Sequence, residues 1–261
     1  MNPMLNIAIR AVRQAGNIVT KYYDTADSAE LKQKGNHDLT NFVERKAKRQ
    51  IIDIIFKSYP DHIIFTENDS QIYQKTEKVQ WIINVLDDNI NYLKRLPHFS
   101  ISIATRVKGR SEIAVVYDPM RNELFCAWRG HGTQLNGYRL RGSSLRSLSE
   151  ALLSTNAIFQ EHENNISAVN AVQKLLYKCA DFRHSGSVAL DLAYVASGRL
   201  DGYYAINLKP RDFTAGDLLV REAGGLVTDF NGDNNYFFSG NLIAGNARIV
   251  QSILHQIRLK Q

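Results

Sequence analysis

The chain has 261 residues, 44% of them hydrophobic; this lies between one large domain and two small ones, and one globular unit with a sizeable core is expected. Its 32 Lys and Arg against 26 Asp and Glu leave a net charge of +6, which suits an anionic partner such as RNA or a phosphorylated ligand and equally describes a solvated basic surface. The two cysteines, Cys126 and Cys179, sit in separate apolar contexts; they read as buried small hydrophobes and exclude a disulfide framework or a cysteine zinc site.

Residues 1–10 carry no continuous apolar run after a basic start, and no stretch reaches the roughly 18 apolar residues of a membrane span. A cytoplasmic protein without a membrane segment is expected. Leu5, Ala8, Ile9, Val12, Ala15, Ile18 and Val19 recur at helical spacing across 4–23, and Phe42, Val43, Ile51, Ile54 and Ile55 do so across 42–58. Two amphipathic helices therefore open the fold, joined through a turn-rich loop at Lys34–Asp38.

Short strands follow at His62–Thr66 and Val79–Leu86, the first running into Glu67 and the second into Asp87 and Asp88. Polar residues at the carboxyl ends of strands occupy the usual place for ligand chemistry in α/β proteins. Segments 99–107, 112–117 and 123–128 predict an antiparallel meander, with turns at Gly109–Arg110, Gly130–Gly132 and Asn136–Gly137 before a strand at 138–140. The second half predicts a strand at 151–155, helices at 164–178 and 187–197, a strand at 203–204, a helix at 215–223, strands at 226–229 and 243–244, and a closing helix at 247–258. The expected class is α/β, in alternating helix and sheet layers, with halves at about 1–148 and 149–261 of one domain.

Glu44, Glu67, Asp87 and Asp212 lie at or near element ends in distant parts of the chain. Hard oxygen ligands gathered in this way are what magnesium requires; each acid taken alone also reads as a helix cap or a surface charge.

The order and spacing of these segments, with the runs Asn2–Arg10, Leu96–Phe99, Val115–Phe125, Gln134–Gly142 and Leu218–Gly225, resemble the inositol monophosphatase family, in particular its bacterial SuhB branch. The resemblance implies a layered αβαβα sandwich and hydrolysis of a phosphate monoester by water activated on Mg2+. By the same resemblance, Glu67, Asn84, Leu86 (through its carbonyl), Asp87 and Asp212 stand at metal-binding positions. Leu86, Asp87, Asp88, Asn89, Arg183 and Asp212 stand at substrate-binding positions, and Glu44 and Asn89 at the positions that orient the attacking water.

Several of these positions depart from the family pattern. Where the family signature reads Asp-Pro-Leu-Asp-Gly-Thr, this chain has Asn84, Val85, Leu86, Asp87, Asp88 and Asn89. Asn84 keeps an oxygen donor but removes a negative charge, which weakens a second metal. Asp88 brings a carboxylate and a Cβ to the place where phosphate approaches backbone N–H groups. Asn68 replaces a second Glu, Glu44 replaces an Asp, Ala205 replaces a substrate-contacting Glu, and Arg211 replaces a Trp beside Asp212. The SuhB resemblance further implies a Nus-factor role in ribosomal RNA antitermination, with RNA polymerase, NusA and RNA as partners, and it leaves a homodimer open. The alternative expectation is a Mg2+-dependent inositol-1-phosphate phosphatase. A decaying gene product, the third reading, is opposed by intact hydrophobic periodicity and turn glycines.

Overall fold

The computed structural model describes residues 2–25, 36–66, 76–87, 89–156 and 166–258. Two long helices, α1 (Pro3–Thr25) and α2 (Asn36–Ser58), precede a seven-stranded sheet whose strands lie in chain order. Those strands are β1 (Ile63–Phe65), β2 (Gln80–Val85), β3 (Ile101–Val107), β4 (Arg110–Asp118), β5 (Glu123–Trp128), β6 (Thr133–Leu135) and β7 (Tyr138–Arg139), with the short helix α3 (Asn89–Leu93) between β2 and β3. β1 and β2 are parallel, and every later pair is antiparallel.

The second sheet has the order β11-β12-β10-β8-β9, built from β8 (Leu152–Thr155), β9 (Asp181–Arg183), β10 (Gly202–Ala205), β11 (Leu226–Thr228) and β12 (Leu242–Gly245). Around it lie α4 (Ile166–Leu176), α5 (Val188–Ala196), α6 (Pro210–Glu222), the single turn α7 (Tyr236–Ser239) and α8 (Ala247–Arg258).

Side-chain alternation in the central strands explains the layering. Ile101, Ile103, Val115 and Tyr117 face the apolar stripes of α1 and α2, while Ala104, Ala114 and Val116 face α5 and α6. The same α5–α6 layer packs against Tyr203, Ala205, Val227 and Ala244 of the second sheet. Leu153, Tyr204 and Ile243 point the other way, onto α4 and α8. The result is the αβαβα sandwich expected. Its middle layer is tight: a Cβ on Gly216 of α6 would stand 2.4 Å from the Cβ of Leu192 on α5, so only glycine lets the two helices approach this closely.

Several boundaries differ from the sequence expectations. α2 begins at Asn36, so residues of the expected loop form its first turn; Asn and Asp serve as well at helix starts as in turns. α6 begins at Pro210 rather than near 215, because proline suits the first helical position and Asp212 in the first turn accepts from the Lys209 N–H at 3.1 Å. β6, β9, α3 and α7, each five residues or fewer, are too short to produce a periodic signal. Cys126 is buried as expected, whereas Cys179 is only half-buried and its thiol donates to the Asp181 carbonyl at 3.4 Å.

Candidate functional site

The carboxyl ends of β1 and β2 meet the amino-terminal ends of α5 and α6, a place where backbone N–H groups and helix dipoles favour negative charge. β2 ends in a tight clasp. Leu86 takes a left-handed backbone conformation, φ 55°, unusual for a branched apolar residue. This turns the chain so that the Leu86 N–H donates to the Ser100 carbonyl at 3.1 Å and Asp87 Oδ1 accepts from the Ser100 N–H at 2.7 Å.

The other Asp87 oxygen is held by α5. Oδ2 accepts from the Ser187 hydroxyl and from the Ala189 N–H at 3.3 Å, and Ser187 in turn caps the helix by accepting from the Leu190 N–H. Burial pushes the Asp87 carboxyl up to about 6, against the opposing pull of the Ser187, Ser100 and Ala189 hydrogen bonds.

Asn84 and Asp212 form the second contact between these ends. Asn84, buried in β2, donates from Nδ2 to Asp212 Oδ1 at 3.2 Å, and Asp212 Oδ2 accepts the Lys209 N–H. Arg211 Nε lies 3.6 Å from the same Asp212 Oδ1, and Arg211 Nη1 makes a long 3.5 Å contact with the Thr66 carbonyl at the end of β1. Burial raises the Asp212 carboxyl above its ordinary range; the Lys209 N–H and the Arg211 and Lys209 charges pull the other way.

Beneath this layer lies a carboxylate that sequence reasoning missed. Asp191 of α5 is buried, accepting from the Ser154 hydroxyl at 2.7 Å and from the Ser185 hydroxyl at 2.8 Å. Burial pushes it up to about 7, and the nearby Asp87 charge adds to the rise. The signal was available: a carboxylate inside the apolar run Val188–Val195 must find buried donors or pay the full desolvation cost. Asn91 then ties the neighbouring loops together, donating to the His98 and Ser185 carbonyls at 2.8 Å each.

The structure thus pairs Asn84 with Asp212 and sets Leu86 and Asp87 in the turn just after β2, clasped to Ser100 and Ser187. Glu67 and Asp88 lie outside the described residues, as does the side chain of Asn89, whose backbone opens α3. Glu44 pairs with Lys48 at 2.8 Å on α2. Arg183 ends β9 with its guanidinium half-exposed and paired to Asp181 at 2.5 Å, while its carbonyl accepts from Ser154. Ala205 is buried in β10.

Among the described residues, no group of three or more His, Cys, Asp or Glu side chains is placed to hold a metal ion. The donor chemistry points the same way. Both oxygens of Asp87 and both of Asp212 accept from N–H or O–H donors of the chain, and the buried side-chain atoms beside them without a hydrogen-bond partner are the Ser100 hydroxyl next to Asp87 and Arg211 Nε next to Asp212. With an amide N–H and a guanidinium set against Asp212, the described residues at the Asn84–Asp212 end of the pocket do not fit a magnesium ion.

The profile of the inositol monophosphatase family matches residues 1–261. The chain belongs to the inositol monophosphatase family. Within that family it is 55% identical over 258 residues to the Nus factor SuhB of Escherichia coli K12, covering 99% of this chain and 97% of the relative. Its likeness to the Nus factor SuhB of Haemophilus influenzae is 50% over the same shares. Among solved members, the extragenic suppressor protein suhB of Bartonella henselae superposes with a TM-score of 0.88 at 31% identity, over 100% of both chains. An IMPase of Thermotoga maritima does so with a TM-score of 0.82 at 32% identity, over 98% of this chain and 97% of the other. The Asn84 amide, at the position where the sequence resemblance leads one to expect a carboxylate, meets Asp212 directly.

Proposed function

We propose that this chain works as a Nus factor, supporting processive antitermination of ribosomal RNA transcription through RNA polymerase and NusA, with RNA as a further contact, and that its phosphatase chemistry is weak or lost. The observation that carries the partner role is 55% identity across 99% of the chain to a relative named Nus factor SuhB. The loss of chemistry is supported by the pocket: hydrolysis in this family depends on cations held among carboxylates, and here an amide and a guanidinium face Asp212. A net charge of +6 is compatible with an anionic partner. The residues named for metal, substrate and water are, on this reading, inherited positions whose scaffold remains in use.

Affinity capture with the full chain tests the proposal. Retention of RNA polymerase and NusA is the expected result, and no retention of either under conditions where an Escherichia coli SuhB control retains both would overturn it. A second reading, a Mg2+-dependent inositol-1-phosphate phosphatase, draws on Asp87 and Asp212 and on the clasped turn at Leu86. Hydrolysis in millimolar magnesium within tenfold of an intact relative would favour that reading.

A further inference from the structure

Arg211, at the start of α6, is the cationic side chain paired with Asp212, and it reaches from there to the end of β1. Its Nε is 3.6 Å from Asp212 Oδ1 and its Nη1 is 3.5 Å from the Thr66 carbonyl, with only 28% of the side chain exposed. The half-buried guanidinium therefore meets Asp212 as a charge pair, with no hydrogen bond from Nε, and a carbonyl oxygen at its far end. Asn84 completes the arrangement from the other side by donating to the same Asp212 oxygen at 3.2 Å.

We infer that Arg211 supplies, from within the chain, the positive charge that a divalent cation brings to this pocket in magnesium-dependent relatives, so that β1, β2 and the start of α6 stay joined without metal. The two substitutions act as a pair. With Asp at position 84, two carboxylates would meet and require a cation; with Asn84, Asp212 is the one carboxylate of the pair, and the Arg211 guanidinium, assisted by the Lys209 charge, balances it. An ion of charge +2 entering here would displace Arg211 from Asp212 or sit against it, and like charge opposes both. The inference rests on the reading of the pocket as non-catalytic and adds what replaced the metal.

Thermal unfolding of the full chain across a MgCl2 titration, against KCl at matched ionic strength, is the test. The unaltered chain should show no magnesium-specific shift. The double variant Asn84→Asp/Arg211→Met should melt lower in EDTA and regain about 5 °C or more in millimolar magnesium, the size expected when ligand far exceeds its dissociation constant. A saturable magnesium-dependent rise in the unaltered chain, reversed by EDTA, would overturn the inference. So would a double variant that melts like the unaltered chain in EDTA and ignores magnesium. If the double variant does not fold even with magnesium, the unaltered chain's response decides alone. Capture of RNA polymerase and NusA in EDTA separates the two proposals: partner retention with a magnesium-dependent melt sinks the Arg211 role and leaves the Nus-factor reading standing, whereas lost retention with a magnesium-blind melt does the reverse.

Discussion

Asn84 and Asp212, 128 residues apart in the chain, meet through an amide-to-carboxylate hydrogen bond of 3.2 Å that joins the end of the first sheet to the start of α6. This bond neutralises nothing. It satisfies one carboxylate oxygen while Arg211 supplies the charge, and a single-site change should expose how the two are balanced.

Replacing Asn84 with Asp exchanges a donor for a second carboxylate beside Asp212. In magnesium-free buffer at pH 8 the fold should lose about 1–3 kcal/mol, the usual cost of an unsatisfied buried polar group together with like-charge repulsion. Urea unfolding monitored by circular dichroism measures it, and an unchanged midpoint would contradict the geometry.

Asp191 and Asp87 make a second prediction, in the pH dependence of stability. Burial raises Asp191 from an ordinary 3.8 to about 7 and Asp87 to about 6. Between pH 4 and those values the folded state holds protons that the unfolded state has released, so stability falls as pH rises through this window and is lower at pH 8 than at pH 5. Asp191→Asn should flatten the slope between about pH 5 and pH 7 in melts recorded at closely spaced pH values. A slope of the same steepness in the variant would refute the assignment to Asp191.

Gly216 tests the central layer. A Cβ there would lie 2.4 Å from Leu192 Cβ, so Gly216→Ala should destabilise by about 1–3 kcal/mol despite the gain in helix propensity that alanine brings. A variant as stable as the parent would mean that α5 and α6 can separate without loss.

Hydrolysis of inositol-1-phosphate should be at least about 10²-fold slower than in a relative with an intact signature, the order of loss when one correctly placed charge is removed from such a site. The changes Asn84→Asp, Asp88→Gly and Asn89→Thr combined with Arg211→Trp should restore some activity in millimolar magnesium, and the same three changes with Arg211 kept should restore less, because the guanidinium opposes a cation at Asp212. Failure of the fourfold change would locate the loss more widely.

The chain should also unfold in one cooperative transition. Residues of the first sheet, such as Val116 and Phe125, share a single apolar cluster with Tyr203, Leu242 and Ala244 of the second, so neither half can lose its packing alone. Calorimetry resolving two separated transitions would divide the halves near residue 149 into independent units.

By itself the sequence determined the layered class and most elements, because apolar residues repeating at 3.6 or 2 positions specify which face of a helix or strand is buried wherever the partner lies. It also made the departure of Asn84, Asp88 and Asn89 from the motif of the resembling family legible, since those residues stand in one contiguous stretch. Tertiary structure alone decided which donor each carboxylate meets. Asn84 reaching Asp212, Ser187 reaching Asp87, Ser154 and Ser185 enclosing Asp191, and Arg211 turning toward Thr66 are contacts between segments that no local pattern links. A hydrogen bond depends on ångström-scale convergence of two side chains, and that convergence follows from how the layers pack rather than from the periodicity that builds each layer.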